Sequence, residues 1–183
     1  MSKKIVLKNV RVSYLNVFKP RAMQEGQEPK FSAQIIMDKN HPQLKEFNAA
    51  VLEVAKEKFS KLIVGNKIPS KLKTPLRDGD EEYTAAEDLA VYGGKYFFNA
   101  NNTRRPVTID RLKNQIAEED NVLYSGCYCN VIVELFAYDT AGNKGVAASL
   151  GGVQFIRDGE ALGGRGVTVD DFDIEEDEEY DFI

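Results

Sequence analysis

The stretch GCYCNVIVELFAYDTAGNKGVAASLGGVQFI, residues 126–156, contains two strands and the turn between them. Gly126 to Tyr138 is rich in β-branched and aromatic residues, Asp139-Thr140-Ala141-Gly142-Asn143 is turn chemistry, and Gly145 to Ile156 returns as a strand. Gly151-Gly152 interrupts the return, which predicts a bulge. Toward the N-terminus, Val10, Val12 and Tyr14 alternate with other residues, and so do Phe31, Ala33, Ile35 and Met37, which predicts two more strands. The connection from Lys19 to Lys30, with Pro20, Gly26 and Pro29, reads as a loop. Strand character returns at Lys95–Ala100 and Pro106–Ile109. From Pro42 the period changes, because Leu44, Phe47, Val51 and Val54 mark one face of a helix of four or five turns. Residues 64–90, with Gly65, Pro69, Pro75 and Gly79, show little periodicity and read as loops with short helical pieces. Together these elements predict a mainly β fold, an OB-fold-like barrel of five to six strands with an inserted α-helix, the alternative being a sandwich.

The length of 183 residues suits one domain with a real core. We place that domain at residues 1–157, with the helical and loop insertion at 41–90. Residues 158–183 read as a flexible, disordered acidic C-terminal tail, too poor in apolar residues to build a core. No run approaches the roughly 20 apolar residues of a spanning helix, and the N-terminus leads straight into a strand pattern rather than a signal peptide. The expectation is a cytoplasmic protein with no membrane partner. Cys127 and Cys129, one residue apart on one side of a strand, are poorly placed for a bridge and read as reduced core residues.

The single histidine, His41, leaves no imidazole pair for a metal cluster or a catalytic triad, and neither a phosphate-loop nor a dinucleotide-binding glycine motif occurs. We expect no cofactor, no metal and no catalytic residue. A metal-dependent nuclease built on Asp78, Asp80, Glu81, Glu82 and Lys95 is the enzymatic alternative, disfavoured because those carboxylates lie in a Pro/Gly-interrupted stretch.

Charge is arranged unevenly. Residues 170–183 carry nine acids and no base, whereas residues 1–169 hold all 24 bases against 20 acids. Bases group in residues 1–30, in residues 56–77 (seven bases against Glu57) and at Arg104, Arg105, Arg111 and Lys113. Aromatics stand among them at Tyr14, Phe18, Phe31 and Tyr96-Phe97-Phe98. A single nucleic-acid strand is held by a basic groove for its backbone and aromatic rings for its bases, so this interleaving points to single-stranded DNA. The residues assigned to it are Tyr14, Lys19, Arg21, Lys30, Lys95, Tyr96, Arg104, Arg105 and Arg111. Successive residues of Tyr96-Phe97-Phe98 face opposite ways, and Tyr96 is taken as ligand-facing because tyrosine is more easily left half-exposed than phenylalanine. The tail residues Asp170, Asp171, Asp173, Glu175, Glu176 and Asp177 would compete with DNA for a basic groove. Phe172, Tyr180 and the terminal Asp181-Phe182-Ile183 would offer apolar hooks to a protein partner.

The runs Val10-Arg11-Val12-Ser13-Tyr14, Phe18-Lys19-Pro20, Lys30-Phe31-Ser32-Ala33, Arg104-Arg105-Pro106, Gly126-Cys127-Tyr128, Lys144-Gly145-Val146 and above all Gly152 to Gly164 resemble a family of phage and prophage single-stranded-DNA-binding proteins, long catalogued as a domain of unknown function. The likeness covers most of residues 3–166. It implies an OB fold without catalytic residues, a place in phage DNA replication or recombination in the host cytoplasm, and an acidic, aromatic-ended tail that regulates DNA access and recruits replication or recombination proteins. A strand-annealing recombination accessory protein shares the same binding chemistry, and a homo-oligomer is left open.

Overall fold

The computed structural model describes residues 2–22, 24–162 and 172–175. The elements run β1 (Ser2–Arg21), β2 (Lys30–Asp38), α1 (Leu44–Phe59), β3 (Arg77–Asp78), α2 (Gly79–Glu82), α3 (Ala86–Tyr92), β4 (Lys95–Asn102), β5 (Val107–Ile109), β6 (Tyr128–Thr140) and β7 (Asn143–Arg157). Their order across the sheet is β3-β4-β2-β1-β6-β7-β5, and parallel pairing of Ala100 with Ala148 and of Asn101 with Ser149 joins β4 to β7. Five strands therefore close into a barrel, as the sequence predicts, while β3 and β5 attach outside it. The β6–β7 pair runs from Tyr128↔Arg157 to Thr140↔Asn143 and turns through Ala141 (φ 50°) and Gly142 (φ 85°), a two-residue turn with both φ angles positive. Its register slips by one residue at Gly151, the predicted bulge.

The barrel is filled by alternate residues of each strand: Val10 and Val12 of β1, Ala33, Ile35 and Met37 of β2, Phe98 and Ala100 of β4, Cys129 to Leu135 of β6, and Val146, Ala148 and Leu150 of β7. One end is sealed by α1, whose buried residues Phe47, Ala50, Val51, Val54, Ala55 and Phe59 pack on β6, β1 and β7. Phe47 meets Phe98 there, with ring centroids 5.0 Å apart. Acidic Glu46 in the first turn of α1 and Lys56 and Lys58 in the last suit the helix dipole.

β1 spans 20 residues and serves two partners, β6 along its first half and β2 along its second. It does so by bending. Between Leu7↔Val131 and Val10↔Cys129 it carries one extra residue, with Asn9 at φ 53°. Between Ser13↔Gln34 and Asn16↔Ser32 it carries another, with Tyr14 at φ 48°. The second bulge reverses the inward–outward phase, so Tyr14, which strict alternation would bury beside Val12, is 67% exposed.

β7 ends at Arg157, but the chain stays packed through Leu162. Tyr124 Oη donates to Asp158 and accepts from the Gly159 amide, Arg11 Nη2 donates to the Glu160 carbonyl at 2.6 Å, and Leu162 N donates to the Ser125 carbonyl at 2.9 Å. Gly126 sits under this segment at φ 114°, where a Cβ would lie 2.1 Å from the Glu160 oxygen. The sequence shows only a glycine-rich, polar run here. What holds it is mostly backbone, which composition does not report.

Phe98 is fully buried at the junction of barrel and helix. Phe98→Ala is expected to cost about 3–5 kcal/mol in urea unfolding with an unchanged m-value.

Candidate nucleic-acid interface

The outer face of β1, β2 and β4 carries cross-strand rows. Ser13, Gln34 and Asn99 form one, Asn16, Ser32 and Asn101 the next, and Arg21 with Lys30 closes the series. Alternation dictates this face: the partners of buried Ile35 and Ala33 are Phe98 and Ala100, which leaves the residues between them pointing outward. Tyr14, turned out by its bulge, stands over these rows. All of these except buried Ser13 line, together with Tyr83, Gln27 and Glu28, a cavity of about 970 Å³. Its floor is amide and hydroxyl, its walls include two tyrosines, and its far end is basic.

A flap formed by β3, α2 and α3 builds the wall that holds Tyr83. Tyr83 stacks on Tyr92, with centroids 4.3 Å apart and planes at 17°, and Tyr92 packs on Phe97 at 5.2 Å. The Tyr92 hydroxyl donates to Gln34 Oε1 at 2.6 Å, tying the flap to the groove floor and turning the Gln34 amide nitrogen away from that contact. Burial pushes the Tyr92 phenol above its ordinary pKa. Lys39 Nζ anchors the flap, 2.7 Å from Asp78 and 2.8 Å from Asp80, and Asp80 also accepts from the Gly94 amide at 3.1 Å. The ammonium holds both carboxyls below the usual aspartate range, and they hold the lysine above its own. Arg77 pairs with Glu82 and lies 5.1 Å over the Phe97 ring. Asp78, Asp80 and Glu82, three of the four carboxylates of the nuclease alternative, are thus partners of Lys39 and Arg77.

The structure brings Tyr14, Arg21 and Lys30 together in the groove. Arg104 and Arg105 follow β4 past Asn102 at the Lys30 end, with Arg105 5.8 Å over Phe18. Lys19 is exposed and 3.4 Å from Glu118. Lys95 pairs with Asp38 at the opposite end of the β2–β4 ladder. Tyr96 faces the barrel side opposite Met37, with Lys39 5.2 Å over its ring, and lines no part of the groove. Parity explains this, since Tyr96 shares the face of buried Phe98, while outward Phe97 is roofed by the flap. Arg111 lies in a loop against Gln154 of β7, away from the groove. Phe172, Asp173 and Glu175 are exposed, whereas Asp170, Asp171, Glu176, Asp177, Tyr180, Asp181, Phe182 and Ile183 lie outside the described residues. Sequence reasoning missed Tyr83, in a stretch without periodicity, and the floor residues Gln34, Asn99 and Asn101. Polar residues at alternate positions opposite a buried Ile-and-Phe face are the signal that marks that floor.

The family model for the single-stranded-DNA-binding protein of Enterobacter phage Enc34 matches residues 3–183. The chain belongs to this family. It is 37% identical over 176 residues to protein p50 of Acyrthosiphon pisum secondary endosymbiont phage 1, covering 93% of this chain and 92% of that protein. Among solved structures it is similar to the bacteriophage Enc34 protein in complex with single-stranded DNA, with TM-score 0.72 at 22% identity, over 87% of this chain and 89% of that one. It is also similar in fold to gp2.5, a single-stranded-DNA-binding protein of bacteriophage T7, with TM-score 0.60 at 15% identity, over 97% and 98% of the two chains. Among the described residues no helix is long and apolar enough to cross a membrane.

The lysine anchor gives the flap a pH dependence. Because the Asp78 and Asp80 pKa values are depressed, the contact is complete above the ordinary carboxylate pKa of about 4 and is lost as pH falls through the lowered values. Amide exchange of residues 79–94, scaled for intrinsic rates, is expected to stay protected from pH 7 to pH 5 and to rise below pH 4, while Lys39→Met raises it already at pH 7.

Proposed function

We propose that this protein binds single-stranded DNA, with little regard to sequence, along the groove between Tyr14 and Tyr83, as a factor in phage replication or recombination in the host cytoplasm. The observation that carries this reading is the bulge that turns Tyr14 outward into a groove walled by a second tyrosine and ended by Arg21 and Lys30. Bases stack on tyrosine faces, and the amides of Gln34, Asn99 and Asn101 exchange hydrogen bonds with base edges. Arg21, Lys30, Arg104 and Arg105 neutralise phosphates. No step of this chemistry breaks a covalent bond, and none needs a cofactor. Duplex DNA is a poor fit because its bases are stacked on one another and, among the described residues, the one long helix, α1, is packed on the barrel rather than presented to a major groove. Membership of the Enc34 family supports the reading.

The DNA-binding unit in this proposal is residues 1–157, the boundary that composition suggests, together with the docked residues 158–162, and the acidic residues 170–183 form a regulatory tail. The acidic residues of the tail compete with DNA for the basic groove at high local concentration, and its apolar end engages a replication or recombination protein when DNA displaces it.

Binding of a dT oligonucleotide and of duplex, each at 50 and 200 mM salt, tests the proposal. Single strands are preferred, and with about five phosphate contacts the log–log salt slope is near −3.5, roughly a hundredfold loss. Equal affinity for the two ligands would contradict the proposal. Tyr14→Ala or Tyr83→Ala is expected to weaken binding by about 1–3 kcal/mol with the slope kept. Arg21→Ala with Lys30→Ala is expected to flatten the slope by about 1.4. Deleting residues 170–183 is expected to raise affinity at low salt and to abolish partner recruitment. Unchanged affinity there would remove the competition idea.

A further inference from the structure

Six lysines of residues 56–73 line no part of the DNA groove, and four of them, Lys56, Lys67, Lys71 and Lys73, stand in or beside the lining of a second depression of about 750 Å³ on the flank of α1. Its floor is apolar, made by Val51 and Leu52 of the helix with Ile68, Leu72 and Leu76 of the segment that follows. Lys73 lines it, and Lys56, bonded to Asn66 of the lining at 2.9 Å, stands at its edge. Lys67 and Lys71 are exposed and adjoin the lining residues Asn66, Ile68, Ser70 and Leu72. Among the described residues, Lys56, Lys58, Lys61, Lys67, Lys71 and Lys73 form no ion pair with an acidic side chain. The backbone on one side is fixed: Lys73 N donates to the Lys144 carbonyl at 3.0 Å, Val146 N donates back to Lys73 at 2.9 Å, and Gly145 lets the two chains meet.

The docked segment after β7 leads toward this place. Arg11, Ile36, Phe97 and Arg77 form one row across β1, β2, β4 and β3. Glu160 is held by Arg11, and Leu162 packs against the cluster of Ile36, Tyr92 and Phe97, so the described chain passes from the first member of that row to the cluster that holds the next two. The next member is Arg77, and its chain neighbours Pro75 and Leu76 line the depression. The row lies beside the row of Ser13, Gln34 and Asn99, so at Leu162 the chain borders the DNA groove, while the last member of its own row adjoins the α1 flank. Nine residues lie between Leu162 and Phe172, and the ten Cα-to-Cα steps reach up to about 33 Å, comparable with the diameter of a domain this size.

We propose that the tail of the same chain, residues 172–183, seats in this lysine-rimmed groove beside α1, with its apolar side chains on the apolar floor and its carboxylates against the rim. Charge selects the occupant. Residues 170–183 hold nine acids and no base, and they intersperse Phe172, Ile174, Tyr180, Phe182 and Ile183 among them. Phe172 and Ile174, 72% and 91% exposed, are covered by nothing among the described residues. A tail with two basic addresses, one in the DNA groove and one on α1, is shifted toward the second when DNA fills the first. The α1 site then holds the tail clear of the bound strand until a protein partner takes its apolar end, and its existence does not depend on the DNA reading.

Zero-length carbodiimide cross-linking of the full chain, in an equal mixture of 15N-labelled and unlabelled protein, tests this by peptide mass spectrometry. Tail carboxylates are expected to join Lys56, Lys67, Lys71 and Lys73 within one chain. The expected yield is about threefold or more above that at Lys4, Lys8 and Lys45, exposed lysines outside the groove, because a seated tail has a high effective concentration only at its seat. That yield holds or rises when a dT oligonucleotide is added. Lysine labelling without preference for the α1 rim, or pairs that join labelled to unlabelled chains, would overturn the proposal. Charge reversal by Lys71→Glu with Lys73→Glu is expected to abolish the excess at Lys56 and Lys67, and an excess that survives would also overturn it. Cross-links at Lys30 report separately on the DNA groove: they disappear with oligonucleotide if the DNA reading holds.

Discussion

A barrel of five strands closes only if its strands bend, and in this protein a strand bends where it carries more residues than its partner. β1 must pair first with β6 and then with β2, and it accommodates both by slipping at Asn9 and at Tyr14, each in the left-handed region. The slip at Tyr14 does two things at once. It keeps Val12 and Val17 in the core on either side, and it puts a large aromatic ring outside, where regular alternation would have buried it. The closure requirement and the candidate binding surface therefore share one backbone irregularity. Past Asn16 the register shifts again, by three residues before Arg21 meets Lys30, and Pro20, which has no amide to donate, falls in that unpaired stretch.

Outside the barrel, one sheet face is divided by what covers it. The row of Arg11, Ile36 and Phe97 is roofed by the docked chain after β7 and by Tyr92 of the flap. The neighbouring rows face the cavity, with Asn99 and Asn101 exposed, Ser32 half-buried, and Ser13 and Gln34 buried. Apolar Ile36 and Phe97 are covered, as the cost of leaving them in water dictates. Tyr92 joins the two regions, with its ring in the covered cluster and its hydroxyl on Gln34 of the open floor. The Lys39 anchor therefore acts on the groove indirectly, through the ring stack that holds Tyr83.

How much of this the sequence carried depends on how local the signal was. The hairpin of residues 126–156, its turn and its Gly151 bulge are nearest-neighbour features, and α1 has a clean helical period, so all were legible. Tyr14, Arg21 and Lys30, which the structure gathers in one groove, were singled out because charge and aromatic character coincide there. Tyr96 was assigned outward by tyrosine's tolerance of water, yet strand parity ties it to Phe98, whose burial is decided by Phe47 of α1 in another part of the chain. Tyr83 was invisible because its place rests on a stack with Tyr92 and on the Lys39 ion pairs, none of which leaves a periodic trace. The docking of residues 158–162 rests on carbonyl oxygens and on the absence of a side chain at Gly126, which a reading of side-chain types passes over.

The central claim is that single-stranded DNA lies between Tyr14 and Tyr83. Photo-cross-linking with an oligonucleotide carrying 5-iodouracil at each position in turn, followed by peptide mapping, tests it most directly, because this base couples to the aromatic ring it stacks on. The account predicts adducts at Tyr14 and Tyr83. Adducts confined to Tyr96, Tyr128 or Tyr138, with none at the groove tyrosines, would contradict it.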